Sequence, residues 1–199
     1  MKLFIVQHAE TTANAQGLSQ GHLDYPLTPK GVEQARKIAL RLKDEKIDVA
    51  YSSDSERALC TCKEVLCYHP KTELIITKLL REQCKGVFEG KHHEEISKAI
   101  EAAGVPYHLF NPEKGEALLE VWNKMISFFK SLQQKHDEQH VLLVSHGGPI
   151  ACLLCHLHGK EIDERRDFVP RGNTALSIIQ FNDSKQPEFI VVNCVKHLG

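Results

Sequence analysis

Leu3-Phe4-Ile5-Val6-Gln7-His8 and Val141-Leu142-Leu143-Val144-Ser145-His146-Gly147-Gly148 are the two stretches whose reading decides the fold. Each is a short, continuously apolar run, the pattern of a strand buried on both faces, and each ends on a histidine at a polar or glycine-rich turn. Outward from them, apolar runs alternate with stretches of helical period, the pattern of an α/β protein with a mostly parallel sheet. Thr28-Pro29 opens a helix, Thr28 as cap and Pro29 in the first turn, with Val32, Ala35, Ile38, Ala39 and Leu42 as its inward stripe. Asp48 to Ser53 reads as a second strand, followed by a helix from near Ser55 that carries Ala58, Leu59, Cys62, Val65 and Leu66. Leu74 to Thr77 is a third strand. Glu116 to Gln134 is the clearest helix, with Leu118, Leu119, Val121, Trp122, Met125, Ile126, Phe129 and Leu132 inward. Residues 175–181 and 189–192 form a terminal strand pair at the sheet edge. From Arg81 to Pro112 the glycines and prolines break the pattern, and a short helical lid over the site is expected there.

The chain has 199 residues, 42% hydrophobic and 26% charged, with no repeat or linker to divide it, so residues 1–199 are read as one domain. The 25 basic and 26 acidic side chains nearly cancel, which leaves no electrostatic footprint for nucleic acid or an anionic membrane. No apolar run approaches a membrane span, and the run at residues 3–6 ends too soon for a signal peptide. Seven cysteines, an odd number in a chain of this length, point to reduced thiols and a cytoplasmic setting.

In open α/β sheets ligands bind at the carboxyl ends of the strands, which is where His8 and His146 fall. Gly147-Gly148 admits a ligand close to the backbone, and the helix that follows aims its free N–H groups at the same place. Two imidazoles beside an anion site make a candidate catalytic pair.

The remaining motifs carry a resemblance. Gln7-His8-Ala9-Glu10-Thr11, with Asn14 after it, resembles the Arg-His-Gly-Glu-Thr signature of the histidine phosphatase superfamily, the phosphoglycerate-mutase-like proteins. Gly21-His22-Leu23-Asp24-Tyr25-Pro26-Leu27-Thr28-Pro29-Lys30-Gly31 with Gln34-Ala35 resembles its second block, and Ser52-Ser53-Asp54 with Arg57-Ala58 and Thr61 its third. Leu80-Arg81-Glu82 with Gly86 and Glu89-Gly90, then Gly115-Glu116, Val144 to Gly148 and Asn173-Thr174, complete the order over essentially the whole chain. The chain is similar to the compact phosphatase branch, which includes fructose-2,6-bisphosphatase-like and broad-specificity members.

This resemblance implies a three-layer α/β/α fold and hydrolysis of a phosphomonoester through a phosphohistidine on His8. It implies Glu82 as acid and then base, Arg57 and His146 on the equatorial oxygens, and Gln7, Asn14, Gln20, Gly21 and the Gly147 backbone completing the cradle. The substrate is expected to be a small phosphorylated metabolite, with no cofactor and no metal. Mutase activity is disfavoured, because the lid offers only Arg81, Lys85, Lys91 and Lys98 to hold a bisphosphate.

The departure lies at the centre. Gln7 and Ala9 stand where the signature has Arg and Gly. Losing one preorganised donor costs roughly 3–4 kcal/mol, about a hundred- to a thousandfold in rate. Losing the cation beside His8 is also expected to raise its pKa. Ala9 would bring a methyl near the phosphate, or resist a positive φ. Weakened hydrolysis is expected, and the alternative is a binding or regulatory protein that keeps the pocket without turnover. Glu10 and Asp24 are read as closing turns. Cys60-Thr61-Cys62 and Cys152-Leu153-Leu154-Cys155-His156-Leu157-His158 could suggest zinc, but two more converging ligands would be needed, so they are read as helix packing. His92, His93, His136 and His140 sit among charged residues and are expected to be solvated.

Overall fold

The computed structural model describes residues 1–199. Six strands form one sheet: β1 (Lys2–Gln7), β2 (Val49–Ser53), β3 (Glu73–Thr77), β4 (His140–Ser145), β5 (Leu176–Phe181) and β6 (Pro187–Cys194), in the spatial order β3-β2-β4-β1-β5-β6. The first four run parallel, β5 lies antiparallel to β1, and β6 closes the edge antiparallel to β5.

Strand alternation builds the layers. Leu3 and Ile5 of β1, with Val141 and Leu143 of β4, join a core formed with α5 (Leu118–Lys135) and α6 (Gly147–Leu157). Phe4 and Val6, with Leu142 and Val144, face the other way against α2 (Pro29–Leu42) and α3 (Glu56–Leu66). The fold is therefore the three-layer α/β/α arrangement, its central strands apolar on both faces.

The helix starts follow their caps: at the short α1 (Thr12–Gln16) Thr11 Oγ1 accepts the Asn14 N–H at 3.2 Å. Thr28 Oγ1 accepts the Gly31 N–H at 2.9 Å and Pro29 occupies the first turn of α2. Val32, expected in the inward stripe, is exposed; Gln34 is buried instead because its Oε1 accepts the Glu10 N–H. In α5, Phe128 joins the core, although the sequence stripe left it out. His136, expected to be solvated, is buried where its Nε2 meets the Tyr51 hydroxyl at 2.8 Å. A hydrogen-bond partner across the chain compensated its burial, and charged sequence neighbours gave no sign of that. The segment between β3 and α5 holds two short 3-10 turns, Lys78–Leu80 and Gly86–Phe88, and one helix, α4 (His93–Ala103).

No helix is long and apolar enough to cross a membrane. All seven cysteines are unpaired. Cys62 and Cys152 pack inside the two cores, where burial pushes both thiols up to about 12.

Candidate active site

The β1–β4 register aligns Gln7 with Ser145, so the residues one step beyond, His8 and His146, emerge side by side. Their ring centroids lie 5.1 Å apart. The His8 N–H donates to the Ser145 carbonyl and the Gln7 N–H to the Ala175 carbonyl, so backbone pairing holds this strand end until the chain turns.

His8 is buried, and its Nδ1 lies 2.8 Å from the Ala9 carbonyl oxygen. A carbonyl can only accept, so Nδ1 carries the proton and Nε2 keeps its lone pair. Burial first, and then the Arg57 charge, lower the His8 pKa to about 3 against the pull of that carbonyl. Gln7 therefore does not leave the ring protonated: desolvation and Arg57 lower its pKa without a cation at position 7, and the ring is neutral at pH 7. Ala9 is fully buried, donates to Thr61 Oγ1 at 2.9 Å and is absent from the residues of positive φ. Its methyl therefore introduces no backbone strain.

Arg57 is buried and heavily committed. Its Nε donates to His146 Nδ1 at 3.2 Å, its NH2 to the Gly21 carbonyl at 2.8 Å, and its NH1 to the Leu23 carbonyl at 2.8 Å and Asp24 Oδ1 at 3.3 Å. Of five N–H groups one remains. His146 has no exposed surface; its Nδ1 accepts from Arg57 and its Nε2 donates to Ser53 Oγ at 2.9 Å. Burial and the neighbouring Arg57 hold its pKa well below the usual imidazole value. The structure thus brings His146 beside His8 but does not place it on the cleft wall; it sits behind Arg57 with both nitrogens engaged.

Glu82 lies across the opening, although the sequence around it has no clear period. Ser145 Oγ donates to the Leu80 carbonyl at 2.7 Å and fixes the chain just before it. Glu82 Oε2 accepts the Gly148 N–H at 3.1 Å and Oε1 its neighbour Gln83 N–H at 2.8 Å. A Cβ at Gly148 would stand 2.3 Å from Glu82 Oε1, so the carboxylate takes space that only glycine leaves free. At Gly21 the reason is twofold: φ is +53° and a Cβ would meet Glu89 Oε1 at 2.1 Å.

Asn14 Oδ1 accepts from the Thr11 N–H, the Thr11 hydroxyl and Asn173 Nδ2, and Asn173 Nδ2 also donates to the His8 carbonyl. That oxygen is saturated, which leaves the Asn14 amide N–H groups for the cleft. Gln7 Oε1 and Gln20 Oε1 are buried without partners. Glu10 accepts from Thr28 Oγ1 and Lys30, and Asp24 from the first N–H of α3, so both close turns; Asp24 also reaches Arg57.

These residues line a cleft of about 330 Å³ with Gln7, His8, Asn14, Gln20, Gly21, Arg57, Glu82 and Gly147 on its walls. Its volume is at the small end of the range for ligand sites. Its walls also include Gln83, Tyr107 and Arg165, which the sequence did not single out, together with Lys85 of the lid and His93, which was expected to be solvated. Arg165 lies in the charged run Glu161-Ile162-Asp163-Glu164-Arg165-Arg166, where nothing distinguishes it from its neighbours. No group of three or more His, Cys, Asp or Glu side chains is arranged to hold a metal.

The sequence matches the histidine phosphatase superfamily, branch 1, over residues 3–194. The chain belongs to that superfamily. It is 31% identical to the adenosylcobalamin/alpha-ribazole phosphatase of Escherichia coli, over 80% of this chain and 80% of that one. It is 29% identical to phosphoserine phosphatase 1 of Hydrogenobacter thermophilus, over 100% and 95% of the two chains. Among solved structures it resembles phosphoserine phosphatase from Entamoeba histolytica in complex with 3-phosphoglyceric acid, with a TM-score of 0.86, 27% identity, and 99% and 98% coverage. The superfamily and these phosphatase relatives place the chain among the phosphatases.

Proposed function

We propose that this protein hydrolyses a small phosphomonoester in two steps through His8. The observation that carries the reading is the state of the His8 ring: neutral, with its proton held on Nδ1 by the Ala9 carbonyl and its Nε2 lone pair left for the cleft. In the first step Nε2 attacks phosphorus, the bond to the alcohol oxygen breaks, and Glu82 gives that oxygen its proton. In the second, water attacks the phosphohistidine, Glu82 takes the proton, and inorganic phosphate leaves with His8 restored. The remaining Arg57 N–H, the Asn14 and Gln7 amides and the Gly147 N–H at the start of α6 hold the non-bridging oxygens. Gln20 and Gly21 shape the near wall. His146 serves the phosphate through Arg57, whose Nε it anchors.

Gln7 lowers the rate, because an amide replaces a bidentate cation at a centre where Arg57 is already largely committed to the protein. Residues 81–112 act as the lid, and the domain spans residues 1–199.

The test compares hydrolysis of an aryl phosphate by wild type and His8→Ala, purified side by side between pH 5 and 8. Activity that disappears with His8, with phosphate trapped on the wild-type protein after acid-free quenching, supports the reading. Equal activity in both proteins overturns it. Phosphate binding without turnover would then favour a ligand-binding role.

A further inference from the structure

The turn that leads into β5 holds a strained residue. Of the four non-glycine residues at positive φ, Lys114, Thr174, Lys185 and Asn193, Thr174 alone is both β-branched and fully buried, with φ at +58°. The Ala175 N–H closes this turn on the Gly172 carbonyl at 3.2 Å, and glycine takes a left-handed position in a turn without steric cost. Threonine does not, and such strain persists only where the surrounding structure holds it. What glycine lacks is the hydroxyl, and here the hydroxyl is used twice. Thr174 Oγ1 donates to the Asn173 carbonyl at 2.7 Å and lies 3.0 Å from His197 Nε2. With the hydroxyl proton already on a carbonyl, Nε2 is the donor of that second bond. His197 sits in the 3-10 turn Lys196–Leu198, which Lys37 of α2 anchors by donating to the Leu198 carbonyl at 2.9 Å. Burial, and then Arg41 and Lys37, lower the His197 pKa, so the ring is neutral at pH 7 with its proton on Nε2.

The consequence reaches His8. The Asn173 carbonyl and the Thr174 N–H belong to one planar peptide, so fixing the carbonyl fixes the N–H, which donates to the His8 carbonyl at 3.4 Å. Asn173 Nδ2 donates to the same carbonyl at 3.1 Å and to Asn14 Oδ1 at 3.3 Å. On the other side of the residue, the His8 N–H is held by the Ser145 carbonyl at 3.0 Å. The two peptide groups that flank the His8 ring are therefore fixed from outside, one by β4 and one by the turn of residues 172–175. His197, Asn173 and Thr174 do not line the cleft and touch no ligand there.

We infer that His197 is a positioning residue for the nucleophile: through the Thr174 hydroxyl it locks the Asn173–Thr174 peptide, and that peptide holds the His8 carbonyl and the Asn14 amide in place. The inference rests on the hydrolysis reading for what His8 does, and the test separates the two.

The values of kcat and KM for an aryl phosphate are measured in wild type, His197→Ala, Thr174→Gly and the double variant, with urea unfolding of each. His197→Ala should lower kcat about tenfold, with a smaller rise in KM through Asn14. In the Thr174→Gly protein the same substitution should change kcat by no more than about twofold, because the hydroxyl through which His197 acts is gone. His197→Gln, whose amide can donate to the same hydroxyl, should restore most of kcat. Losses in kcat that multiply across the two substitutions overturn the inference. So does a fall in urea stability with the kcat of the folded protein unchanged, which is what packing alone would give. Should His197→Ala not fold, Thr174→Val carries the test, since it keeps the shape and removes the hydroxyl; an unchanged kcat there overturns the inference equally. Orthophosphate binding by calorimetry in the same four proteins needs no turnover. If wild type hydrolyses nothing and orthophosphate affinity falls with His197→Ala only while Thr174 is present, the hydrolysis reading has failed and the positioning role stands. No hydrolysis with the same affinity in all four proteins overturns both.

Discussion

Lowering the pH from 7 to 5 should destabilise this protein through His8 by an amount that the site geometry sets. In the unfolded chain the imidazole takes a proton near its ordinary value of 6.5; in the folded chain burial and Arg57 hold it near 3. Between those values the unfolded state binds the extra proton, so the contribution is fully present above pH 6.5 and is lost as pH falls toward 3. At pH 5 the ring is 1.5 pH units below its unfolded value, which at about 1.4 kcal/mol per unit is about 2 kcal/mol lost. That figure requires only that the folded ring stay neutral at pH 5. His146 shifts in the same direction and adds to the total. Its share cancels when wild type is compared with His8→Asn, which keeps a polar side chain and cannot titrate. The assay is urea unfolding followed by circular dichroism at pH 7 and pH 5. The stability of wild type should fall by about 2 kcal/mol more than that of His8→Asn. Parallel losses in the two proteins would mean that His8 is protonated or solvated in the folded state, and would remove the basis for a neutral nucleophile.

Gln7→Arg should raise turnover of an aryl phosphate by about a hundredfold. The gain should be similar at every pH from 5 to 8, since His8 is already neutral; no gain in a folded variant would mean that the pocket has adapted to the amide. Gly148→Ala places a methyl 2.3 Å from Glu82 Oε1 and must displace the carboxylate. Turnover should fall by at least about tenfold, with phosphate binding and urea stability little changed, because the group that yields is the end of a flexible side chain. Unchanged turnover would remove Glu82 from the proton transfers.

The fold was legible where periodicity and caps agreed. The apolar runs ending in His8 and His146 gave the central strands, Thr28-Pro29 gave the start of α2, and the order of motifs gave the family. His136 and Gln34 are buried through partners across the chain, Tyr51 and Glu10, which the local sequence does not show, and Val32 falls at the edge of the stripe formed by Gly31, Gln34, Ala35, Ile38, Ala39 and Leu42. The site was legible as a set of residues, and less so as a set of contacts. Sequence could not show that Arg57 gives four of its N–H groups to the protein, or that both nitrogens of His146 are engaged. Arg165 left no signal at all, since a charged run after a helix usually marks solvent, and only the fold brings Tyr107 beneath it.

Those contacts also change what the glutamine means. The proton on His8 is not the quantity that Gln7 alters, because burial and Arg57 already keep the ring neutral. What changes is the number of charged donors free to meet a phosphoryl oxygen as its charge develops. With Arg57 holding the Gly21 and Leu23 carbonyls, Asp24 and His146, its contribution is mainly its charge and one N–H. The neutral donors of Gln7, Asn14 and Gly147 must supply the rest of the cradle, and neutral bonds are roughly half as strong as charge-assisted ones. Replacing Gln7 by arginine therefore adds a charged donor to the cradle without changing the protonation of His8, and its effect should appear in the rate and not in the shape of the pH profile.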